Sequence, residues 1–312
     1  MNHRALIIAF ALPLLAAASP PPPSLLIATP TFLMYAEGDR RQPALGGPHA
    51  AGYRVLSALS DGSVLVGFDD DLNATVETVT PALESRKVKT FPRGTSFFPG
   101  NDGFLAYDGA SQLLRRYDAR GTLVGAPVLP SGTTAALGVG DSMVVLGGGR
   151  LQVYDRGGRM RRVIAMEGNS LVPLPNDRFA VNDVRDGEVR EYTTELDQTA
   201  TLRYVGLPAR ALASAPDGTL AVLAGTPSCV TSNAELDVFT DLHAQPVARI
   251  HEGITSPVAL AVGPDFVYIA NRSCSPNEDG SISVFTREGT SWGTMRNVGT
   301  PTTLIPFAAA RP

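Results

Sequence analysis

Short apolar segments alternate with polar turns along nearly the whole chain. The stretch from Ser256 to Val298 shows the unit most completely. Apolar VALAV ends at the turn GPD, FVYIA ends at the polar loop NRSCSPNEDG, SISVF ends at TREG, and a last strand ends near Val298. Four short strands joined by turns are typical of one blade of a β-propeller, a ring of four-stranded sheets. We therefore predict an all-β fold.

The same unit recurs five times before this stretch. One copy is TAALGVGDSMVVLGGGRLQVYDRGGRMRRVIAM, whose turns GGGR and DRGG are strong hairpin signals. The other four copies are Tyr53–Phe91, Thr95–Leu129, Ser170–Val205 and Arg210–Ile250.

Six aspartates come into register when the first turns of the units are aligned. Their steps of about 36 to 48 residues, with a period near 41, match a four-stranded blade. An Asp in these turns serves the backbone geometry of the turn, and the alternative is a ring of carboxylates around the channel mouth. The aligned residues are Asp61, Asp102, Asp141, Asp177, Asp217 and Asp265.

The polarity of individual strands supports this assignment. Second strands such as FVYIA and MVVLG are continuous apolar runs, as expected where neighbouring blades cover both faces. Fourth strands such as RKVKTF and RMRRVIAM are charged, which suits an exposed outer edge.

Two fragments remain outside the six units. TPTTLIPFAAA at the C-terminus resembles an innermost strand, and further strands lie between Ser24 and Gly47. Joined, they make a seventh blade that ties both termini into one sheet, and about 294 mature residues then give roughly 42 per blade. We favour seven blades; six blades with the N-terminal strands packed outside is the alternative.

Several stretches resemble a known kind of repeat. YDGASQLLRRYDARGTLVG, VYDRGGRMRRVIA and ASAPDGTLAVLAG are similar to the NHL-type and six-bladed TolB-like repeats of exported bacterial propellers. The resemblance implies the propeller fold over nearly the whole mature chain. It leaves function open, because such rings include enzymes, sensors and binding modules.

The N-terminus has the pattern of an export signal. A basic start, MNHR, precedes the apolar run ALIIAFALPLLAAA and small residues that fit a cleavage site. We predict a signal peptide over residues 1–18, a Pro-rich leader over 19–24 and one propeller domain over 25–312. The mature protein is then periplasmic or extracellular, and we expect it to contain no transmembrane segment.

Bulk composition favours a well-cored soluble protein. The 312 residues are 44% hydrophobic and 18% charged, with a net charge of -4. This charge and a pI near 5.6 give no electrostatic footprint for nucleic acid, so we expect no nucleic-acid partner.

The two cysteines fall at matching places in consecutive units. Cys229 and Cys274 both lie in the loop between second and third strands. An even cysteine count in an exported protein favours a disulfide between them; two free thiols are the alternative.

One acidic stretch resembles a calcium loop. In FDDDLNATVE, residues Asp69, Asp71, Asn73 and Glu77 occupy positions 1, 3, 5 and 9 of the pattern, although Ala74 stands where the pattern has Gly. A solvated acidic turn explains the same residues, and a structural calcium site is the alternative that we carry forward. The fold requires no other cofactor.

No catalytic residue can be assigned. The string GTSWG matches a nucleophile elbow, but no histidine follows Ser291, so we interpret it as a turn. In lactonase-like propellers, acidic and amide residues near the channel hold a metal. The polar residues that follow second strands here do not match a complete ligand set of that kind: Asp108, Asn182, Asp183 and Asn271.

Two functions therefore remain open. We favour a non-enzymatic exported module, a monomer, that binds an unknown protein or small ligand through one face of the disc. Polar loops of variable length, on the side that carries the cysteine loops, support this hypothesis. The alternative is a metal-dependent hydrolase, lactonase or lyase with its site in the central channel.

Overall fold

The chain forms a ring of β-sheets. The computed structural model describes residues 22–46, 51–130, 132–204, 207–226, 233–275 and 278–307. Within these ranges 27 strands form seven antiparallel sheets. The predicted seven-bladed β-propeller is confirmed, and the six-bladed alternative is excluded. The described residues include no helix long and apolar enough to cross a membrane. The predicted signal peptide lies outside the described residues.

The strands follow the predicted units, and the blades are numbered in chain order. The first three strands belong to the closing blade, blade 7: β1 (Ser24–Ala28), β2 (Phe32–Glu37) and β3 (Arg40–Gly46). Blade 1 comprises β4 (Ala51–Ala58), β5 (Val64–Asp69), β6 (Asn73–Val79) and β7 (Ser85–Pro92). Blade 2 comprises β8 (Ser96–Gly100), β9 (Gly103–Asp108) and β10 (Leu113–Asp118). Blade 3 comprises β11 (Ala135–Val139), β12 (Ser142–Gly147), β13 (Arg150–Tyr154) and β14 (Met160–Ala165).

The second half of the ring has the same organisation. Blade 4 comprises β15 (Gly168–Leu174), β16 (Arg178–Asp183), β17 (Glu188–Thr193) and β18 (Gln198–Arg203). Blade 5 comprises β19 (Ala209–Ser214), β20 (Leu220–Thr226), β21 (Asn233–Phe239) and β22 (Ala248–Ile250). Blade 6 comprises β23 (Pro257–Val262), β24 (Phe266–Asn271), β25 (Ser281–Thr286) and β26 (Ser291–Met295). The last strand is β27 (Thr303–Pro306).

Both ends of the described chain share blade 7. Its strand order is β27-β1-β2-β3, so the C-terminal strand is innermost. β27 pairs antiparallel with β1, with Leu304 opposite Ile27. It also contacts β23 of blade 6 and β4 of blade 1. The ring therefore closes through backbone pairing, as predicted.

The hydrophobic core lies between neighbouring blades. Between blades 6 and 7, for example, Ile27 and Leu304 belong to one buried cluster with Phe266 and Ile282. All six residues of the second strand β24 are buried, whereas most of the fourth strand β14 is exposed. This radial gradient is what apolar second strands and charged fourth strands predict.

Blade 2 departs from the four-stranded pattern. Residues 119–130 cover the outer edge of β10 with only two isolated bridges, between Leu114 and Val128 and between Tyr117 and Leu123. Gly125 has a φ of 76°, and a Cβ there would lie 2.3 Å from the Arg156 carbonyl oxygen. This left-handed residue and the nearby prolines prevent a regular fourth strand.

The ring has two faces that differ in their turns. In each of blades 1 to 6 the first strand ends at a turn that carries one of the aligned aspartates. Because the strands are antiparallel, the turn between third and fourth strands lies at the same end. We call this end the first-turn face. The loops between second and third strands lie on the opposite face.

Candidate functional site

The aligned aspartates lie on the first-turn face, where they divide into groups with different surroundings. Two of them shape their own turns. Asp61 Oδ1 accepts a hydrogen bond from the Ser63 backbone N–H at 2.9 Å. Asp217 Oδ1 accepts one from Thr219 at 3.0 Å. This is the turn chemistry that the sequence favours.

Asp217 has a second role because Arg287 of blade 6 reaches it. Arg287 Nη1 lies 2.5 Å from Asp217 Oδ2. This hydrogen bond lowers the pKa of the Asp217 carboxyl below its usual value. The contact links the turns of blades 5 and 6.

Three other aspartates of the series line one cavity. Asp102, Asp141 and Asp177 come from the first turns of blades 2, 3 and 4, and the cavity has a volume of about 430 Å³. It is open to solvent on the first-turn face. We call it the aspartate cavity; its other lining residues are Asn101, Arg116, Tyr117, Asp118, Val124 and Gly140.

Arg116 on β10 is a buried cation beside these carboxylates. Only 9% of its surface is exposed. Its Nη2 donates to the Asn101 carbonyl oxygen at 3.5 Å. Its Nη1 is buried and has no hydrogen-bond partner among the described residues. Burial lowers the pKa of the guanidinium, while nearby Asp141 acts in the opposite direction; arginine stays charged under either influence.

The carboxylates of the cavity differ in how far the protein already engages them. Asp118 Oδ1 accepts hydrogen bonds from the backbone of Arg120 and Thr122 at 2.9 and 2.8 Å. Asp141 Oδ1 lies 3.8 Å from Arg156 Nη1, in a pair that is mostly exposed. In the part of the chain that the structure describes, the side chains of Asp102 and Asp177 make neither a hydrogen bond nor an ion pair. They are therefore the carboxylates most available to a ligand.

Both of these aspartates have an unusual backbone conformation. Asp102 and Asp177 have φ values of 53° and 54°, in the left-handed region that Asp and Asn tolerate better than other side chains. Gly140 has a φ of 52°, and a Cβ there would lie 2.6 Å from Asp177 Oδ1. The Asp177 carboxylate therefore rests against the bare backbone of blade 3.

The cavity is acidic overall. Four carboxylates line it, Arg116 is the one cationic side chain among its described lining residues, and Arg156 pairs with Asp141 beside it. At neutral pH this leaves an excess of two negative charges. A cationic group is favoured there, and an anion is disfavoured.

The predicted calcium residues lie on the opposite face. Asp69 ends β5, Asp71 is in a tight turn, and Asn73 and Glu77 belong to β6. Asp69 Oδ1 is buried and has no hydrogen-bond partner among the described residues, which suits a cation ligand. Glu77 lies four residues beyond Asn73, roughly 13 Å along an extended strand. A tight hairpin thus replaces the coiled calcium loop and separates Glu77 from the rest. Calcium binding stays a prediction.

The predicted disulfide is only partly visible. Cys274 follows β24 on the opposite face. Cys229 lies outside the described residues, as does part of each cysteine loop. The pairing therefore stays a prediction.

Polar residues after the second strands are engaged locally rather than brought together. Asn182 Nδ2 donates to Asn169 Oδ1 and to the Ala209 carbonyl oxygen, at 2.7 and 2.8 Å. Asn271 Nδ2 donates to the Gly253 carbonyl oxygen and to Ser283 Oγ, both at 3.1 Å. The described residues contain no group of three or more His, Cys, Asp or Glu side chains that could hold a metal ion.

Asp108 and Asp183 likewise have local partners. Asp108 Oδ2 accepts a hydrogen bond from Ser111 Oγ at 2.5 Å, and this bond lowers the pKa of the carboxyl. Asp183 Oδ2 lies 3.1 Å from Arg190 Nη1. Neither carboxylate lines the aspartate cavity.

Ser291 of the GTSWG string begins β26. A nucleophile elbow joins a strand to a helix, and no helix follows in the described residues. Ser291 lines a second cavity of about 470 Å³ with His251 of blade 5. His251 Nδ1 lies 3.6 Å from Glu235 Oε2, but no hydrogen bond joins Ser291 to His251 in the described structure.

The comparisons with known proteins identify the fold. No protein-family model and no curated protein matches the chain. A chain of a mitotic checkpoint complex is similar, with a TM-score of 0.57 and 13% identity over 87% of this chain and 96% of that one. A chain of a nidogen/laminin complex gives a TM-score of 0.52 and 12% identity, over 92% and 99%. Hsv2p of Kluyveromyces lactis gives 0.54 and 12%, over 77% and 75%.

At these identities the likeness shows the fold alone. Two of these neighbours are chains of protein complexes. The fold is shown both by the blade topology and by these neighbours: this chain is a seven-bladed β-propeller.

Proposed function

We propose that this chain is an exported, non-enzymatic binding module that takes a protein or a small ligand on the first-turn face. One observation carries the proposal: side chains from three consecutive blades converge on the aspartate cavity, and two of its carboxylates have no hydrogen-bond or ion-pair partner among the described residues. Polar groups that meet at a concave site are the usual basis of ligand recognition. The sequence favours the opposite face, which carries the cysteine loops, as the binding surface. Because the cavity lies on the first-turn face, we propose that face instead.

Export is part of the proposal and rests on the N-terminal pattern. MNHR and the following apolar run fit a signal peptide. The expected mature protein begins near Ser19 and is periplasmic or extracellular. Sequencing the N-terminus of the protein recovered from the envelope or the culture fluid tests this part.

The repeat type also belongs to the proposal. The turns with Asp and Gly, the apolar strands and the strand that ends in VYD support blades of the NHL or TolB-like kind. Structural neighbours in complexes with other proteins support a binding role for this fold.

The binding role is tested by affinity capture with matched baits. Wild-type protein is compared with Asp102→Asn/Asp177→Asn, which removes two negative charges and keeps residues that tolerate the left-handed backbone. The control is Glu278→Gln/Asp279→Asn, which removes two exposed charges on the opposite face. We expect a partner that wild type and control capture from envelope or culture fluid and that the Asp102/Asp177 variant loses. Capture of the same set by all three baits, or of nothing by wild type, contradicts the proposal.

A further inference from the structure

The aspartate cavity contains two unmet electrostatic requirements. Asp102 and Asp177 offer carboxylates that form no ion pair with the described residues. Arg116, which lines the same cavity, has a buried Nη1 donor without an acceptor in the described structure. A buried donor without a partner is costly, and more so when it is charged. A ligand that brings both a cation and a hydrogen-bond acceptor satisfies both.

A bare metal ion meets only one of these requirements. It supplies positive charge but no hydrogen-bond acceptor. The described residues also show no metal-ligating group of side chains at this place. A simple anion meets the other requirement only, and the excess of carboxylates repels it.

A basic peptide segment meets both requirements. Its lysine or arginine side chain supplies the cation, and its backbone carbonyl oxygens supply acceptors a few ångströms away. A volume of about 430 Å³ is in the range of cavities that hold small organic groups.

We propose that the aspartate cavity binds a lysine or arginine side chain of an extended peptide segment, whose cation lies between Asp102 and Asp177. An adjoining backbone carbonyl accepts a hydrogen bond from Arg116. This inference rests on the proposed function, since it gives the class of ligand for the same site.

The probes for the test are acetyl-Gly-Arg-Gly-amide and its citrulline analogue, which has the same shape without the charge. Binding to the full mature chain is measured by calorimetry or by chemical shifts. We expect the arginine peptide to bind at least about tenfold more tightly than the citrulline peptide, as close charge pairs imply. n-Butylguanidinium keeps the cation and lacks the backbone carbonyl, so we expect it to bind more weakly than the arginine peptide.

Two variants test whether the arginine peptide binds in the aspartate cavity. We expect Asp102→Asn/Asp177→Asn to lower the affinity for the arginine peptide by about tenfold or more. Its affinity for the citrulline peptide should stay nearly the same. Glu278→Gln/Asp279→Asn is expected to change neither. Circular dichroism of each variant establishes that the ring remains folded.

Two results overturn the inference: equal affinity for the two peptides, or no binding of the arginine peptide up to about 10 mM, where even a contact worth roughly 4 kcal/mol saturates. Failure here is distinguishable from failure of the proposed function. Suppose that a captured partner depends on Asp102 and Asp177 but the two peptides bind equally well. The proposed binding module then stands, and the basic peptide is rejected as its ligand.

Discussion

The carboxylate of Asp177 lies against the backbone of Gly140, so close that no side chain fits between them. A Cβ on Gly140 would be 2.6 Å from Asp177 Oδ1. These residues belong to the first turns of neighbouring blades. The packing of blades 3 and 4 therefore affects where the Asp177 carboxylate lies in the aspartate cavity.

The substitution Gly140→Ala tests this contact. It places a side chain at a residue with a φ of 52° and forces Asp177 away. We expect a loss of about 2 kcal/mol or more in the free energy of unfolding, from left-handed strain plus displacement of the carboxylate. Urea denaturation measures it.

Gly149→Ala is the matched control for this substitution. Gly149 has a φ of 70°, but a Cβ there meets nothing within 4 Å. We expect it to lose only the backbone strain, about 1 to 2 kcal/mol. Equal losses for the two variants would show that Asp177 adjusts freely and that Gly140 does not fix its position.

Leu304 lies on the strand that closes the ring. This residue pairs with Ile27 and is 6% exposed in the cluster between blades 6 and 7. We expect Leu304→Ala to lower the free energy of unfolding by about 2 to 5 kcal/mol, because it leaves a cavity between blades 6 and 7. Leu129→Ala, at a residue that is 67% exposed, is expected to change it by less than about 0.5 kcal/mol. A Leu304 effect as small as that of Leu129 would contradict closure through this strand.

Glu188 predicts a pH dependence of stability. Its side chain accepts hydrogen bonds from Arg203 Nη2 at 2.5 Å and from Arg190 Nε at 2.9 Å. The bond from Arg203 is the main cause of the lowered pKa of the Glu188 carboxyl. Because the folded pKa lies below the unfolded pKa, the stabilisation is complete above the unfolded value, about 4.3. It is lost as the pH falls through the folded pKa.

We therefore expect Glu188→Gln to cost about 1 to 3 kcal/mol at pH 7 and progressively less on acidification below about pH 4.3. Denaturation of both proteins across this pH range measures the difference. Glu195→Gln is the control, since its pair with Arg161 is half exposed on both sides and is worth under about 1 kcal/mol. A Glu188 effect that stays constant from neutral pH into the acidic range would contradict the assigned ion pair.

The predicted Cys229–Cys274 disulfide can be tested directly. Peptide mapping without reductant should yield a linked pair of peptides. Since the bond closes a loop of about 45 residues, reduction or Cys229→Ser/Cys274→Ser should cost roughly 3 to 4 kcal/mol. Two titratable thiols in the purified protein would refute it.

The ring and its closure could be predicted from the sequence because they depend on local pattern. An apolar run such as FVYIA on β24 predicts one strand, and each recurring turn predicts one connection between strands. The two hairpin glycines Gly148 and Gly149 have positive φ, as their turn requires. Local signals of this kind are repeated in every blade, so single irregularities do not obscure the period.

The aspartate cavity could not be predicted in the same way. It depends on how blades 2, 3 and 4 lie beside one another, which no single repeat encodes. Arg116 was missed for this reason. Its one local signal is its position two residues after the buried Leu114, on the same side of β10.

The irregular edge of blade 2 was also beyond the sequence pattern. GTLVGAPVL contains enough apolar residues to resemble a fourth strand. The left-handed Gly125, held against the Arg156 carbonyl oxygen, interrupts the ladder instead. The contact with Arg156 comes from blade 3 and has no local signature, whereas the nearby prolines are visible in the sequence.

Amide chemical-shift mapping of the mature chain with the arginine peptide tests the central claim most directly. The account predicts that the shifts concentrate at residues 100–103, 139–142 and 174–178, the turns that surround the aspartate cavity. Shifts that concentrate instead on the opposite face, around residues 69–73 and 183–188, or no shifts at all, would contradict it.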